Sequence, residues 1–390
     1  MFNFDEIITL SGTHSNKWDD FEATYGVPTN EGLPMWVADM DFKPPQAVAD
    51  ALQKAVDLGV FGYYGNSASY REAVCSWMDR RHGWDIQPEW VLNTHGLVAA
   101  IGIALRALTS EGDGVILFTP VYHSFAKMVK GNGRKVVEAQ LELENGRYEM
   151  DLEALEAKLD GSEKMVILCS PHNPGGRVWS KNELQALAVF CVKHDLLLIA
   201  DEIHHDLVYA PNKHTVMAIA APQITDRLIT LAAVSKTFNL AGGMTGAAII
   251  SDKGLREKFN TTRLATGSSP NRFGMLMTEA AYNEGEEWLE DLLAYLTENR
   301  RIFDNGVNAI PGVKSMTLEA TYLAWVDFSG TGMPMEDVIE RVQSSAKIAA
   351  NYGETFGTGG EQYLRFNLGC RRAIVEDAVE RLQKAFADLQ

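Results

Sequence analysis

Lys236 stands in SKTFNLAGG directly after an apolar run, LITLAAV, that has the length of a strand. Lysine is mostly exposed and is depleted from strands, so an amine at the end of a buried one is out of place. Burial disfavours the charged form, and a neutral amine can condense with an aldehyde. Asp201 ends the run LLLIA, where a carboxylate can keep a ring nitrogen protonated and so make the ring an electron sink. Asn173, in SPHNPGG, can donate its amide to a phenolic oxygen, and Tyr122, in TPVYHSF, can lie over a ring face in offset geometry. In HGLVAAI, Gly96 falls at a strand-to-helix junction, where the free N–H groups of Gly96 and Leu97 would face a phosphate. Ser235 offers a hydroxyl to the same group.

Each residue alone has a plain reading: a surface lysine, a helix-capping aspartate, an NPGG turn, a core tyrosine, a loop serine. Together they fit pyridoxal phosphate held as a Schiff base on Lys236. His204 and His205 beside Asp201 and Asp206 could begin a metal site, but no further ligand pattern completes a coordination shell, so no metal is expected. There is no GxSxG motif, and none of Cys75, Cys169, Cys191 and Cys370 sits in a CxxC pair or a catalytic context. They read as reduced thiols.

These residues need a frame that brings strand ends together. From Trp90 onward short apolar runs alternate with helical patterns, which predicts an α/β fold built on a mostly parallel, seven-stranded sheet covered on both faces. In such sheets the ligand site lies beyond the carboxyl ends of the strands, where Gly96, Tyr122, Asn173, Asp201, His204, Ser235 and Lys236 all fall. After Gly285 the pattern becomes a long amphipathic helix, a strand over 322–328, a helix in MEDVIERVQSSA and a strand in YLRFNLG, which predicts a smaller α+β domain. The expected organisation is an N-terminal segment, 1–50, packing with the small domain; a large cofactor-binding domain, 51–285; and the small domain, 286–390.

At 390 residues and 46% hydrophobic, the chain can bury cores of this size. Its net charge of -17 argues against nucleic acid or an anionic membrane as partner. The apolar runs are too short to span a membrane, and the start MFNFDEIITL lacks a basic segment, so a cytoplasmic protein is expected.

The motifs MWVADMDF, FGYYG, REAVCSWMDRRHGW, SPHNPGGRVWSKNEL, ADEIHHDLVY, SKTFN and LRFNLGCRR resemble, in order and over almost the whole chain, the MalY/PatB family of cystathionine, or cysteine-S-conjugate, β-lyases. That family lies within the class I/II aminotransferase superfamily, whose enzymes have the pyridoxal-phosphate-dependent fold type I. The resemblance implies that Lys236 is both the Schiff-base residue and the base at the substrate Cα. Asp201 would hold the pyridine nitrogen and Asn173 the ring oxygen, with Tyr122 on the ring and His204 beside it. Arg365 would clamp the substrate carboxylate as a planar fork, helped by the backbone around Val37 and Ala38. Tyr63 would reach the phosphate of a partner subunit, making a homodimer with a shared active site.

Two positions depart from related patterns. Leu97 stands where the family usually has valine, and Met244 stands where many aminotransferases place a phosphate-binding arginine, which points to the lyase-like branch. The implied reaction is cleavage of L-cystathionine or related conjugates to a thiol, pyruvate and ammonia. An aminotransferase using the same lysine, or a cofactor-binding regulatory protein of MalY type, are the alternatives.

Overall fold

The computed structural model describes residues 2–268 and 270–389. Its centre is a seven-stranded sheet of β1 (Val91–Thr94), β2 (Gly114–Thr119), β3 (Lys135–Gln140), β4 (Glu163–Cys169), β5 (Leu197–Asp201), β6 (Leu228–Ala232) and β7 (Gly246–Ile249). The spatial order is β1-β7-β6-β5-β4-β2-β3. Only β7 opposes its neighbours, pairing antiparallel with both β1 and β6. The others run one way, so the carboxyl ends of six strands meet at one edge.

Side chains on a strand alternate between faces, and both faces here are covered. Val115 and Leu117 of β2 enter one core with Met165 and Ile167 of β4. Ile116 and Phe118 enter the other with Val166 and Leu168. The first core is closed by α3 (Leu97–Leu108) and by Phe259 of α7 (Lys253–Ala265); the second includes Trp77 of α2 (Ala68–His82) and Leu184, Leu187 and Cys191 of α5 (Lys181–Lys193). A run that is apolar throughout, such as GVILFT, therefore needs no polar face.

A second sheet is antiparallel, with order β8-β9-β11-β10, formed by β8 (Lys314–Ser315), β9 (Leu323–Asp327), β10 (Asn351–Tyr352) and β11 (Tyr363–Asn367). It packs with α8 (Glu286–Val307) and α9 (Arg372–Ala385) into the second core, Phe303 of α8 meeting Phe366 of β11 at 5.4 Å. Leu33–Pro34 pairs in parallel with Ile348–Ala349 beside this sheet.

The chain that follows is tied from two sides. Asn367 Nδ2 donates to the carbonyls of Val37 (2.5 Å) and Asp39 (2.6 Å), while its Oδ1 accepts from Gly369 N–H. Asn239 Nδ2 donates to Met40 and Phe42 carbonyls, and its Oδ1 accepts from Met40 N–H at 2.8 Å. Two asparagines thus fix 37–42 between the small sheet and the turn that carries Lys236.

That turn differs from the sequence expectation. β6 ends at Ala232, and Val234–Thr237 forms a single helical turn, α6, so Lys236 lies on a helix rather than at a strand end. The apolar run LITLAAV hides the change because Val234 is buried in either conformation. Among the described residues no helix is long and apolar enough to cross a membrane.

Replacing Asn367 with alanine strips the half-buried carbonyls of Val37 and Asp39 of their donor. A loss of about 2 kcal/mol is expected, read as a lower urea midpoint. An unchanged midpoint would show that the 37–39 strap is held by other contacts.

Candidate active site

At the carboxyl edge of the large sheet lies a cavity of about 610 Å³. Val37, Ala38, Gly96, Leu97, Tyr122, Asn173, Asp201, His204, Ser235, Lys236 and Arg365 all line it. Tyr63 does not. It is 93% exposed, in the chain that joins α1 (Gln46–Leu58) to α2.

The amine of Lys236 donates to the carbonyl of Ala38 at 2.5 Å, and Tyr322 Oη donates to the same oxygen at 3.0 Å. Burial pushes the lysine down to about 8, with Arg365 acting in the same direction and Asp39 and Asp201 pulling against it. Near neutral pH such an amine exchanges its proton readily.

Asp201, the last residue of β5, shows the converse. Burial lifts its carboxyl to about 7, although Ile203 N–H donates to Oδ1 at 3.1 Å and Lys236 lies nearby. A buried carboxyl with one hydrogen bond has room for a cationic donor, and a protonated ring nitrogen is one.

Arg365, on β11, is buried over the ring of Phe356. Nη1 donates to Asn173 Oδ1 at 2.9 Å, and Nη2 donates to the Trp36 carbonyl at 2.9 Å and to Asn351 Oδ1. Its Nε is buried with no acceptor. Burial lowers the guanidinium to about 10, still a full cation at neutral pH. An unpaired donor on a buried cation fits an incoming carboxylate. Because Asn173 spends its oxygen on Arg365, its amide nitrogen remains for another acceptor.

Gly96 caps α3 with φ +78° and open space where a side chain would sit, so the first N–H groups of the helix face the cavity unobstructed. His204 is buried with Nδ1 unpaired, and burial, with Lys236 and Arg365 as neighbours, holds it well below its usual range and neutral. An amine lowered to about 8, a raised carboxyl, an open helix N-terminus, a tyrosine ring and the unpaired buried nitrogens of Arg365 and His204, all lining one cavity, are together a fit for a phosphorylated pyridine aldehyde. The cavity also includes Trp36, His123, Lys127, Met244 and Asn351. Met244 was named from the sequence only as a departure at the phosphate position, and the other four were not singled out, because a loop, a short helix and a two-residue strand carry them there.

His204 and His205 point to different surroundings. His205 Nε2 lies 3.2 Å from Asp206 Oδ2, and His82 Nε2 lies 2.8 Å from Oδ1. These three could in principle hold a metal ion. Asp206 is, however, already surrounded by donors: Trp77 Nε1 reaches both oxygens at 3.2 and 3.3 Å, and Thr237 Oγ1 donates to Oδ2 at 2.7 Å. Burial alone would raise the Asp206 carboxyl, but His205 and His82 outweigh it and hold it well below the usual carboxylate range. Its visible role is to anchor Thr237, the neighbour of Lys236.

The sequence model for the aminotransferase class I and II family matches residues 32–382. Cystathionine beta-lyase PatB of Bacillus subtilis is 39% identical over 388 residues, covering 99% of this chain and 100% of PatB. Cystalysin from Treponema denticola, whose crystal structure contains a pyridoxal 5'-phosphate cofactor, superposes with a TM-score of 0.95 at 38% identity, covering the whole of both chains. The pyridoxal-phosphate-bound C–S lyase of Staphylococcus hominis gives 0.92 at 30% identity, over 99% of this chain and 98% of that one.

Asp206→Ala should cost about 3 kcal/mol at pH 7, since it leaves Trp77, Thr237 and His82 without their acceptor and His205 without its carboxylate neighbour. The depressed carboxyl stabilises the fold fully above its unfolded value, about pH 4, and less as pH falls below that. The wild-type advantage in urea should therefore shrink below about pH 4; a gap that is constant with pH would contradict a charged Asp206.

Proposed function

This chain belongs to the aminotransferase class I and II family, and on that premise we propose that it is a pyridoxal-phosphate-dependent carbon–sulfur β-lyase acting on L-cystathionine or related cysteine S-conjugates. The observation that carries the reading is a lysine amine lowered to about 8 in the same cavity as a carboxyl raised to about 7 and an arginine with an unpaired Nε. Full-length similarity to PatB, a cystathionine beta-lyase, supports it.

Lys236 would hold the cofactor aldehyde, Asp201 its ring nitrogen, Asn173 its ring oxygen and Tyr122 its face, with Gly96, Leu97 and Ser235 at the phosphate and His204 alongside. When bound, the cofactor supplies an electron sink for the pair left at the substrate Cα. Arg365 orients the substrate by its carboxylate, with the backbone at Val37 and Ala38 closing over it. Lys236 would also take the substrate Cα proton onto Nζ, a step for which an amine near neutrality is suited. Asp201 would keep the ring nitrogen protonated. The Cβ–S bond then breaks with its electron pair on sulfur. Addition of one water balances the reaction: L-cystathionine gives homocysteine, pyruvate and ammonia.

The reading extends to a cytoplasmic homodimer. All four cysteines are free thiols, consistent with a reducing compartment. Val60, Phe61 and Tyr63 are exposed together in the chain between α1 and α2, an apolar surface that a second copy would cover. In that arrangement Tyr63 serves the partner's phosphate.

Protein loaded with pyridoxal phosphate should release pyruvate, ammonia and homocysteine in equal amounts from L-cystathionine with no keto acid added, and Lys236→Ala should lower kcat by about 10³-fold or more. Turnover only in the presence of a keto acid would instead mean transamination. Sedimentation should give twice the 43.1 kDa chain mass, and Tyr63→Phe should weaken cofactor retention about tenfold. A fully active monomer would overturn the shared site.

A further inference from the structure

The lyase reading leaves one charged wall of the cavity without a task. Among the described lining residues the charged side chains are Lys127, Lys236, Arg365 and a single carboxylate, Asp201. Three cations against one anion is the reverse of the whole chain, with 52 acidic and 35 basic residues. Lys236, Asp201 and Arg365 have roles above. Lys127 has none, and the ion pairs that lysines form among the described residues do not include it.

Lys127 lies on α4 (Ser124–Gly131), whose N-cap is His123. Its N–H donates to the His123 carbonyl at 3.2 Å, so the two residues are one helical turn apart on the same face, and both line the cavity. The His123 ring is fixed edge-on against Tyr122 at 5.0 Å and Phe356 at 5.8 Å, yet its Nδ1 is buried with no hydrogen-bond partner. Burial, with Arg365 and Lys127 adding to it, pushes this histidine down to about 4, so it is neutral. A half-buried neutral imidazole with one buried, unpaired nitrogen and the ammonium of an exposed lysine one turn further on thus flank the space next to Tyr122 and Arg365. A buried polar atom without a partner carries a desolvation cost until a ligand supplies one.

We propose that Lys127 and His123 form a subsite for an anionic leaving group, which selects cysteine thioethers bearing a carboxylate beyond the sulfur over thioethers with plain alkyl groups. The α-carboxylate goes to Arg365; the second carboxylate, on the thiol half, pairs with the Lys127 ammonium and accepts a hydrogen bond from His123. In a chain of net charge -17 such a substrate would otherwise be repelled, and the local cations reverse the sign of the field at the site. The proposal rests on the lyase reading for its chemistry, while its recognition element can be measured without turnover.

The test compares S-(2-carboxyethyl)-L-cysteine with S-butyl-L-cysteine. In wild-type protein kcat/KM should favour the carboxylate substrate. Lys127→Ala should lower the ratio of the two values about tenfold, the size of one partly exposed charge-assisted contact. Lys127→Glu should lower it further, and Lys127→Arg should keep it within about twofold of wild type. The same ratios should appear in dissociation constants measured by calorimetry on Lys236→Ala protein saturated with pyridoxal phosphate. If wild type makes pyruvate from neither compound, the lyase reading fails and the calorimetric ratios still decide the subsite. Ratios unmoved by both Lys127→Ala and Lys127→Glu would overturn it, as would equal losses on both ligands.

Discussion

The site depends on one lysine amine kept out of water. Lys236 would be an ordinary ammonium on the surface; buried against the Ala38 carbonyl it falls to about 8, within reach of both protonation states. Everything that closes this environment comes from elsewhere in the chain. Residues 37–39 are held by Asn367 from the small sheet, 40–42 by Asn239 from the turn beyond the lysine, and that turn is anchored through Thr237 to the buried Asp206 carboxylate. The two sheets are therefore coupled through the reacting group itself, and loosening either asparagine or Asp206 acts on the lysine's surroundings before it touches the chemistry.

The charges in the cavity form a graded set. Burial raises Asp201, lowers Lys236 and lowers Arg365, and each remains close enough to the others to feel their fields. A carboxyl at about 7 and an amine at about 8 are individually costly to bury and are useful only together with a ligand that supplies a protonated ring nitrogen and a substrate carboxylate. The fold accepts that cost because the large sheet, with apolar side chains on both faces, supplies two hydrophobic cores around it.

Much of this was legible in the chain. Asp201 and Asn173 follow continuous apolar runs that can only be doubly covered strands, and the ligand edge of such a sheet is fixed by its topology. Gly96 was readable because a strand-to-helix junction with free N–H groups needs no side chain. The helical turn under Lys236 was not, since LITLAAV keeps its apolar character past the end of β6. His123, Lys127 and Asn351 were also out of reach: an i,i+4 pair on a short helix and an asparagine in a two-residue strand acquire meaning only when tertiary closure faces them toward the cavity. His204 and His205 are adjacent in sequence but serve different surroundings, one in the cavity and the other at Asp206.

The most direct test is to load the purified protein with pyridoxal phosphate, reduce it with borohydride so that any carbon–nitrogen double bond to the protein becomes permanent, and map the added mass by peptide mass spectrometry. The account predicts a pyridoxyl group on Lys236 alone. Retained cofactor with the label on another lysine, or with no label at all, would contradict it.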